Sequence, residues 1–483
     1  MVMEKKPNII FLISDDQGYW SLGCSGNKEI ITPNIDRLAA QGIRFANFFC
    51  ASPVCSPARA SLLTGMIPSR HGVHDWLRDD NEHQAGLEYL AGQYSYTKAL
   101  SENGYSCALS GKWHMGAAAK PQQGFTHWFS HKSGGGPYYG APMYKDGSLY
   151  YEQRYVTDAI TDDAIDFLET QKDAHRPFYL HVAYTAPHAP WINNHPKKYT
   201  DLYRDCPFES VPRLSPETRN PDSIYLTDEV MEDERSNLIG YFAAVTAMDA
   251  GIGRILKKLR ELEMEKDTLV IFTSDNGFSC GHHGFWGKGN ATFPLNMYEE
   301  SIKVPFIARH PGHIPEGRVC DALVSAYDFM PTLLDYLGIA QNDTDERPGV
   351  SFAPLLRGEP FRQRDEVVVL DEYGPNRMIR GRRFKYVVRY PYGPNELYDL
   401  ESDPGERENL LKKDGYEELE EKLRFRLEEW FAKYADPDID GTKEAVFGSG
   451  QIGLAGLWGR GKPAHSCDDY IRKSPNFIPY RMK

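Results

Sequence analysis

Two long apolar runs, each ending in a pair of acidic or amide side chains, constrain the fold of this chain more than any other feature. Residues 8–16 read Asn-Ile-Ile-Phe-Leu-Ile-Ser-Asp-Asp, and residues 268–276 read Thr-Leu-Val-Ile-Phe-Thr-Ser-Asp-Asn. Near-continuous apolar runs of this length are typical of parallel strands that are buried on both faces. We therefore predict an α/β fold in which both runs are strands of one central sheet.

The four polar residues that end these runs are predicted to meet at one edge of the sheet. Open α/β sheets bind ligands at the carboxyl ends of their strands. Three carboxylates and an amide oxygen suit a hard cation, and their number and flexibility favour calcium over magnesium. The predicted calcium ligands are Asp15, Asp16, Asp275 and Asn276. The alternative for the first pair is a solvated turn.

A third segment combines a cysteine with a helix start. Residues 55–65 read Cys-Ser-Pro-Ala-Arg-Ala-Ser-Leu-Leu-Thr-Gly, which indicates a loop that turns into a short helix and ends at Gly65. Ser56 is the predicted N-cap, and the proline after it is the first helical residue. Cys55 then lies at a helix N-terminus, which favours a thiolate or a bound oxyanion. Arg59 lies one turn further, and its planar charged group suits sulfate or phosphate.

Two more segments carry basic side chains to the same edge. The glycine-flanked residues 111–116 read Gly-Lys-Trp-His-Met-Gly, and in an extended segment Lys112 and His114 face the same side. His188 lies between two prolines after a predicted strand at residues 178–183, which holds it in a stiff turn. Taken alone, the first segment is as well explained by a surface loop, and His188 by a loop histidine without a role.

Two glycine-rich segments are predicted to be loops near the site. Residues 281–290 carry His283 and Lys288, and long glycine-rich loops inside a compact domain are usually functional. A structural histidine and a surface lysine are the alternatives. Residues 134–151 are rich in Gly and Tyr and lack helical or strand periodicity. We predict a loop over the site, which either offers aromatic rings to a sugar or has only a structural role.

Together these motifs resemble the type I formylglycine-dependent sulfatases of the alkaline phosphatase superfamily. The resemblance spans most of the first 340 residues, with the motifs in the right order. It implies an alkaline-phosphatase-like α/β fold with a large doubly wound, mostly parallel sheet flanked by helices, and a smaller C-terminal subdomain. Short alternating segments after about residue 365 predict a small antiparallel sheet there, with a helix over 416–434. The predicted division is a catalytic domain over 1–360 and a C-terminal subdomain over 361–483, which ends in a wrapping tail.

The resemblance also implies a reaction, the hydrolysis of an organic sulfate monoester. In this family a maturation enzyme oxidises the cysteine to an aldehyde, whose hydrate attacks sulfur. The second hydroxyl of the hydrate then expels sulfate. Cys55 is thus expected to become formylglycine and to complete the calcium shell, where the metal activates the attacking oxygen. The other implied roles are charge compensation by Arg59, Lys112 and Lys288, protonation of the leaving alcohol by His188 with Lys288, proton removal by His114, and substrate contact by His283.

Composition restricts the partners and the compartment. A net charge of −13 and a pI near 5.6 argue against a nucleic-acid binder. The eight cysteines show no CxxC or zinc-like spacing, which fits reduced thiols in a cytosolic enzyme. Residues 9–13 are too short, and too acidic at their end, for a signal peptide, and no later segment approaches a membrane span. We predict a cytoplasmic enzyme without nucleic-acid or membrane partners, whose favoured substrate is a sulfated mono- or oligosaccharide.

Other functions stay open on the sequence alone. A phosphonate or phosphate ester hydrolase of the same superfamily would share the nucleophile motif, although the Lys112 and His114 segment points to a sulfatase. A tyrosine-phosphatase-type thiol enzyme is disfavoured, because its arginine would fall at position 61, which is Ser61. A catalytically silent protein that binds calcium or a sulfated ligand would predict the loss of a site residue, and none is lost. Choline sulfate and aryl sulfates also remain as substrates.

Overall fold

The computed structural model describes most of the chain, namely residues 6–224, 226–341, 346–362, 364–371, 375–390, 393–443, 450–456 and 464–465. Its strands are β1 Asn8–Ser14, β2 Ile43–Phe49, β3 Ser106–Lys112, β4 His127–His131, β5 Ala141–Lys145, β6 Ser148–Glu152, β7 Phe178–Ala183, β8 Thr268–Ser274, β9 Ser279–Cys280, β10 Trp286–Gly287, β11 Lys303–Arg309, β12 Arg318–Cys320, β13 Val324–Ser325, β14 Glu366–Asp371, β15 Asn376–Gly381, β16 Phe384–Arg389 and β17 Glu396–Asp399. Its α-helices are α1 Pro33–Ala40, α2 Cys55–Thr64, α3 Pro68–His71, α4 Glu82–Ala85, α5 Tyr96–Glu102, α6 Val156–Thr170, α7 Lys197–Thr200, α8 Leu226–Glu232, α9 Glu234–Glu261, α10 Glu299–Ile302, α11 Phe329–Leu337, α12 Ala353–Leu356 and α13 Glu417–Tyr434.

A large mixed sheet forms the centre of the molecule. Its strands follow the order β12-β2-β11-β8-β1-β7-β3-β4-β5-β6, with β13 paired to β2. The central strand β1 pairs in parallel with both β7 and β8, and β3 and β4 continue the parallel part. β11 and the β5–β6 hairpin run antiparallel to their neighbours. The predicted α/β class with a mostly parallel sheet is confirmed.

Both faces of this sheet are covered by helices. Ile9, Phe11 and Ile13 belong to a core that also contains side chains of α2, α5 and α11. Ile10 and Leu12, which alternate with them, belong to a second core with side chains of α1, α6 and α9. Successive side chains of a strand point to opposite faces, so a strand between two cores needs apolar residues at every position. This explains the near-continuous apolar run at residues 8–14.

The parallel strands bring distant parts of the sequence to one edge. Ser14 at the end of β1 is level with Ser274 at the end of β8. On the other side, β1 pairs with β7, β7 with β3, and β3 with β4, where Lys112 is level with His131. The residues that follow these strands therefore lie together at the carboxyl edge, as the sequence predicted.

The prediction of a loop over 134–151 is wrong in its second half. Residues 141–152 form the β5–β6 hairpin, and Asp146 and Gly147 at its turn have φ angles of 51° and 76°. An Asp-Gly pair with two positive φ angles is a strong hairpin signal, which the abundance of Gly and Tyr concealed. The apolar pattern over residues 229–262 predicts one long helix, but the structure has two, α8 and α9. The break lies at Asp233, whose side chain caps α9 by accepting from the Ser236 N–H at 3.1 Å.

The C-terminal region contains the predicted small sheet and helix. β14 to β17 form an antiparallel sheet against which α13 packs, and α13 matches the predicted helix within one residue. Its core is continuous with the α2 face of the large sheet, and the division near residue 360 stays a prediction. Most of the predicted wrapping tail lies outside the described residues, which include only 450–456 and 464–465 of its final part.

Helix α9 is long and apolar enough for a membrane span, so the expectation that no later segment approaches one is wrong by length and composition. In this fold 78% of its apolar window is buried inside the protein, where it packs against α1 and α6. A core helix has the same composition, and the packing accounts for it.

Candidate active site

The cysteine of the 55–65 segment lies at a helix N-terminus, as predicted. Cys55 is the first residue of α2, and Gly65 ends the helix with a φ angle of 67°. The predicted capping role of Ser56 is wrong, because the helix begins two residues earlier than predicted, with Val54 at the N-cap. The Ser56 hydroxyl instead accepts a hydrogen bond from the Leu77 N–H at 3.2 Å. Every residue of α2 is buried.

The four predicted metal ligands surround this cysteine. Asp15 Oδ1 lies 3.4 Å and Asp16 Oδ1 3.8 Å from Cys55 Sγ. Asp275 Oδ1 accepts from the Asp16 N–H at 3.2 Å, and Asn276 Nδ2 donates to Asp16 Oδ1 at 2.8 Å. All four side chains are buried. The structure thus brings together the ends of β1 and β8 and the start of α2.

Three buried cations lie on these carboxylates. Arg59 donates through Nε to Asp275 Oδ2 at 2.9 Å. Lys112 Nζ lies 2.6 Å from Asp15 Oδ2. Lys288 Nζ lies 2.5 Å from Asp16 Oδ1 and 2.7 Å from Cys55 Sγ. We call these seven residues the catalytic cluster: Asp15, Asp16, Cys55, Arg59, Lys112, Asp275 and Lys288.

Burial and charge determine the protonation states in this cluster. Burial alone would raise the pKa of Asp275, but Arg59 and Lys112 outweigh it and hold the pKa well below the usual value. Lys288 does the same for Asp16, whose pKa is also lowered. At Asp15 burial prevails over Lys112, so its pKa is raised. Burial raises the pKa of the Cys55 thiol to about 12, although both lysines oppose this.

Two histidines border the cluster. His188 Nε2 lies 3.7 Å from Asp16 Oδ2, and its Nδ1 lies 2.7 Å from the Ala189 carbonyl. His114 directs Nε2 to the Leu77 carbonyl at 3.3 Å, while its Nδ1 is buried without a partner in the described residues. Burial, with Lys112 and Arg59, lowers the pKa of His114 well below its usual value.

The first part of the 134–151 segment lies over these histidines. A Cβ atom on Gly134 would lie 2.2 Å from His114 Cε1, and one on Gly135 would lie 2.7 Å from His188 Cε1. Backbone can approach both rings this closely only because these positions are glycine. The loop predicted over the site is therefore present at its glycines, although its tyrosines belong largely to the hairpin.

One predicted site residue lies apart from the others. His283 Nε2 lies 2.9 Å from Glu300 Oε2, and the ring stacks on Tyr298 at a centroid distance of 3.7 Å. None of its described contacts is with the catalytic cluster. Its role in substrate binding stays a prediction.

Two residues near the site escaped the sequence analysis. His131 is buried at the end of β4, next to Lys112 in register, and burial lowers its pKa to about 4. A histidine directly before a glycine-rich loop was the available signal. The second residue, Gln451, lies in a C-terminal tail without periodicity, where no sequence pattern marks a site residue.

The donor set fits a hard cation. Asp15 and Asp16 offer carboxylate oxygens, which lie within 4.8 Å of each other and of Cys55 Sγ, the atom that stands in for a formylglycine oxygen. Asn276 Oδ1 is buried beside them and accepts no hydrogen bond from the described residues. A buried amide oxygen without a partner costs free energy that a metal ion would recover. With its cations, the cluster can bind and polarise a tetrahedral oxyanion.

Comparisons with known proteins identify the family of the chain. A family model described as Sulfatase matches residues 7–339, and one described as N-sulphoglucosamine sulphohydrolase, C-terminal, matches residues 281–433. N-acetylglucosamine-6-O-sulfatase of Bacteroides thetaiotaomicron is 30% identical over 92% of this chain and 89% of its own. Choline-sulfatase of Rhizobium meliloti is 32% identical over 84% of this chain and 83% of its own.

Solved structures extend the comparison to three dimensions. A protein in complex with its substrate D-glucosamine-2-N,6-O-disulfate has a TM-score of 0.77 at 28% identity, covering 91% of this chain and 100% of that one. A phosphonate monoester hydrolase of Agrobacterium radiobacter, at 22% identity and a TM-score of 0.70, shares the fold. The fold and the site define a hydrolase of sulfuric esters with an alkaline-phosphatase-like α/β fold. The chain belongs to the sulfatase family.

Proposed function

We propose that this sulfatase hydrolyses a sulfate monoester carried by a saccharide, using formylglycine at position 55 and a calcium ion. The observation that supports this proposal most is the position of Cys55 at the start of a buried helix. Its Sγ lies 3.4 Å from Asp15 Oδ1 and 2.7 Å from Lys288 Nζ. The formylglycine hydrate would supply the attacking oxygen, and calcium would neutralise charge on the sulfate. The residues proposed to hold calcium are Asp15, Asp16, Asp275, Asn276 and the modified residue 55.

The state of the thiol supports modification over direct thiol chemistry. With a pKa raised to about 12 by burial, the Cys55 thiol carries its proton near neutral pH. A protonated thiol is a poor nucleophile. A maturation enzyme that oxidises Cys55 is therefore a required partner in this proposal.

The buried cations would bind the sulfate and stabilise the charge that develops in the transition state. Arg59, Lys112 and Lys288 already neutralise the three carboxylates, so an added calcium ion makes the site attractive to an anion. Fixed cations in a buried site lose little energy to reorganisation when the reaction occurs.

The two histidines are suited to opposite proton transfers. A carbonyl oxygen only accepts, so His188 must donate through Nδ1 to Ala189, which leaves Nε2 toward the site. We propose that His188, when protonated on both ring nitrogens, delivers its Nε2 proton to the leaving alcohol and keeps the Nδ1 proton on Ala189. By the same argument His114 donates through Nε2 to Leu77, and its free Nδ1 is the proposed base.

The surroundings of His114 offer polar groups to a substrate. A small cleft that is open to solvent lies beside this ring, and the polar residues of its lining include Arg78, Asp79, Gln84, Lys132 and Ser133, next to alanine and glycine. Sugar hydroxyls can donate to and accept from such groups. Choline would need an aromatic cage. Tyr144 is the one aromatic residue of the lining.

A substrate panel tests the proposal. The protein is coproduced with a formylglycine-generating enzyme and assayed with glucosamine 6-sulfate, galactosamine 6-sulfate, choline sulfate, 4-nitrophenyl sulfate and a phosphonate monoester. We expect the highest kcat/KM for a sulfated sugar, loss of activity with EGTA and recovery with calcium. Preference for choline sulfate or the phosphonate, or full activity in EGTA, would overturn the corresponding part. A cytoplasmic location stays a prediction.

A further inference from the structure

A short segment near the C-terminus, residues 450–456, lies alongside the backbone around Leu77. Gln451 and Leu77 form a parallel bridge. The Gln451 N–H donates to the Trp76 carbonyl at 2.8 Å, and the Gln451 carbonyl accepts from the Arg78 N–H at 3.0 Å. The segment thus pairs with both residues that flank Leu77.

The Gln451 side chain ties the same backbone a second time. It is fully buried, and its Oε1 accepts from the His74 N–H at 2.8 Å. Its Nε2 donates to the Gly72 carbonyl at 2.8 Å and to the Gly453 carbonyl at 2.9 Å. A buried amide with all these bonds resists displacement, since each lost bond would leave an unsatisfied group.

Leu77 connects these hydrogen bonds of Gln451 to the active site. Its N–H donates to Ser56 Oγ at 3.2 Å, next to the nucleophile position, and its carbonyl accepts from His114 Nε2 at 3.3 Å. Both polar groups of one peptide position therefore contact residues of the site. A shift of Leu77 would be transmitted directly to His114.

The bond from His114 to Leu77 decides the tautomer of the histidine. Because a carbonyl cannot donate, the proton must be on Nε2, which leaves the Nδ1 lone pair free. Gly134 lies against the same ring and prevents it from moving away. His114 itself has a positive φ angle of 53°, so local backbone preference does not hold it in place.

We propose that Gln451 is a positioning residue that acts through Leu77 to keep His114 in the Nε2–H tautomer, with Nδ1 available as the base. The inference rests on the role of His114 proposed above. It assigns a part of the C-terminal tail to the assembly of the active site. The tail segment is remote in sequence from every motif that carries the reaction.

The test reads the tautomer of His114 directly, in the unmodified Cys55 protein. Imidazole ¹⁵N resonances are recorded with labelled histidine, and His114→Gln identifies the signal. We expect the Nε2–H form in the wild type and a mixture of tautomers in Gln451→Met. In the matured enzyme we expect kcat to fall about tenfold with KM changed less than about twofold.

Gln93→Met is the matched control. Gln93 also donates its amide to this part of the backbone, at the His71 carbonyl 2.9 Å away, but it does not contact residues 76–78 in the described structure. We expect it to lower Tm without changing the His114 tautomer or kcat. If Gln451→Met does not fold, Gln451→Glu, which retains the length and the acceptor for His74, is measured instead and should show the same changes to a smaller extent.

Two results would overturn the proposal. One is an Nδ1–H tautomer in the wild type. The other is a folded Gln451 variant with the tautomer and kcat of the wild type. If His114 is not the base, His114→Gln retains activity, while the His114 tautomer still differs between the wild type and Gln451→Met. This outcome separates a failure of the proposed base from a failure of the role proposed for Gln451.

Discussion

The molecule contains two buried clusters of paired charges. They differ in whether a ligand atom or a reactive group remains unpaired among the charges. The catalytic cluster lies at the carboxyl edge of the large sheet. The second, here called the bridging cluster, lies between the large sheet and the small one and consists of Glu299, Arg380, Lys385 and Glu406. In it Lys385 Nζ lies 2.6 Å from Glu406 and 3.3 Å from Glu299, and Arg380 lies 3.2 Å from Glu299.

The bridging cluster is closed. Glu406 Oε2 also accepts from the Glu299 N–H at 2.8 Å. Glu406 lies close enough to His283 and Glu300 to resemble a metal site, but the Lys385 ammonium already lies against its carboxylate. Such a network holds two layers together.

The catalytic cluster is open in two respects. The neighbouring Asn276 has no partner for its Oδ1 in the described residues, and Cys55 lies among charges although its thiol is neutral. Buried charge alone therefore does not mark a catalytic site. An unused ligand atom and a chemically reactive group among the charges do.

The largest effect is expected at the nucleophile position. Cys55→Ala removes the precursor of the attacking group, so kcat should fall at least about 10⁴-fold while the protein stays folded. The measurement is kcat on a sulfated monosaccharide together with Tm. Cys50→Ala is the control, because Cys50 is equally buried but has the Ser301 carbonyl as its described partner, 3.9 Å away. Activity above a tenth of wild type in Cys55→Ala would refute the assignment.

A lysine of the catalytic cluster should affect activity. Lys112→Met removes a fixed cation beside Asp15, and kcat/KM should fall about 10²- to 10³-fold because transition-state charge loses a partner. Steady-state kinetics measure this. A change of less than about threefold would show that Lys112 is only a structural counter-charge.

The matching lysine of the bridging cluster should affect stability. Lys385→Met leaves Glu299 and Glu406 buried without their shared cation, which should lower the free energy of unfolding by about 3–5 kcal/mol. Denaturant unfolding measures this, and kcat of the folded fraction should stay within about twofold of wild type. A loss of kcat like that of Lys112→Met would remove the distinction between the clusters.

The smallest effect is the pH dependence that His114 adds to stability. Its pKa is lowered well below 6.5 in the folded protein, mainly by burial. As the pH falls, the unfolded chain therefore binds the His114 proton before the folded protein does. The contribution of His114 to the free energy of unfolding is complete above about pH 6.5 and declines below it, by at most about 1.4 kcal/mol per pH unit. Unfolding of wild type and His114→Gln between pH 7 and 5 measures the difference, with the exposed His83→Gln as control. Equal slopes in wild type and His114→Gln would contradict the buried neutral state.

The sequence predicted the site residues and the central strands better than it predicted the strands of the C-terminal sheet. β1 and β8 match their predicted bounds because a strand between two cores must be apolar throughout. β15 has no apolar alternation that would predict a strand, because Arg377 and Arg380 interrupt its pattern. Both are buried in ion pairs, with Asp440 and with Glu299. Local patterns do not reveal that a distant carboxylate will compensate a buried arginine.

Within the site, residue types were predictable but their pairing was not. Motifs brought Arg59, Lys112 and Lys288 into consideration, but only the fold places each on a particular carboxylate. Gln451 lies outside every motif, and its contacts depend on a bridge across more than three hundred residues. Long-range contacts of this kind leave no local trace in the sequence.

The mass of the tryptic peptide over residues 45–59 tests the central claim most directly, because it contains both Cys50 and Cys55. In protein made with the maturation enzyme, fragmentation should place a loss of about 18 Da at position 55 and none at position 50. Sulfatase activity should rise in proportion to the converted fraction. Full activity in protein whose Cys55 is unmodified would contradict the account.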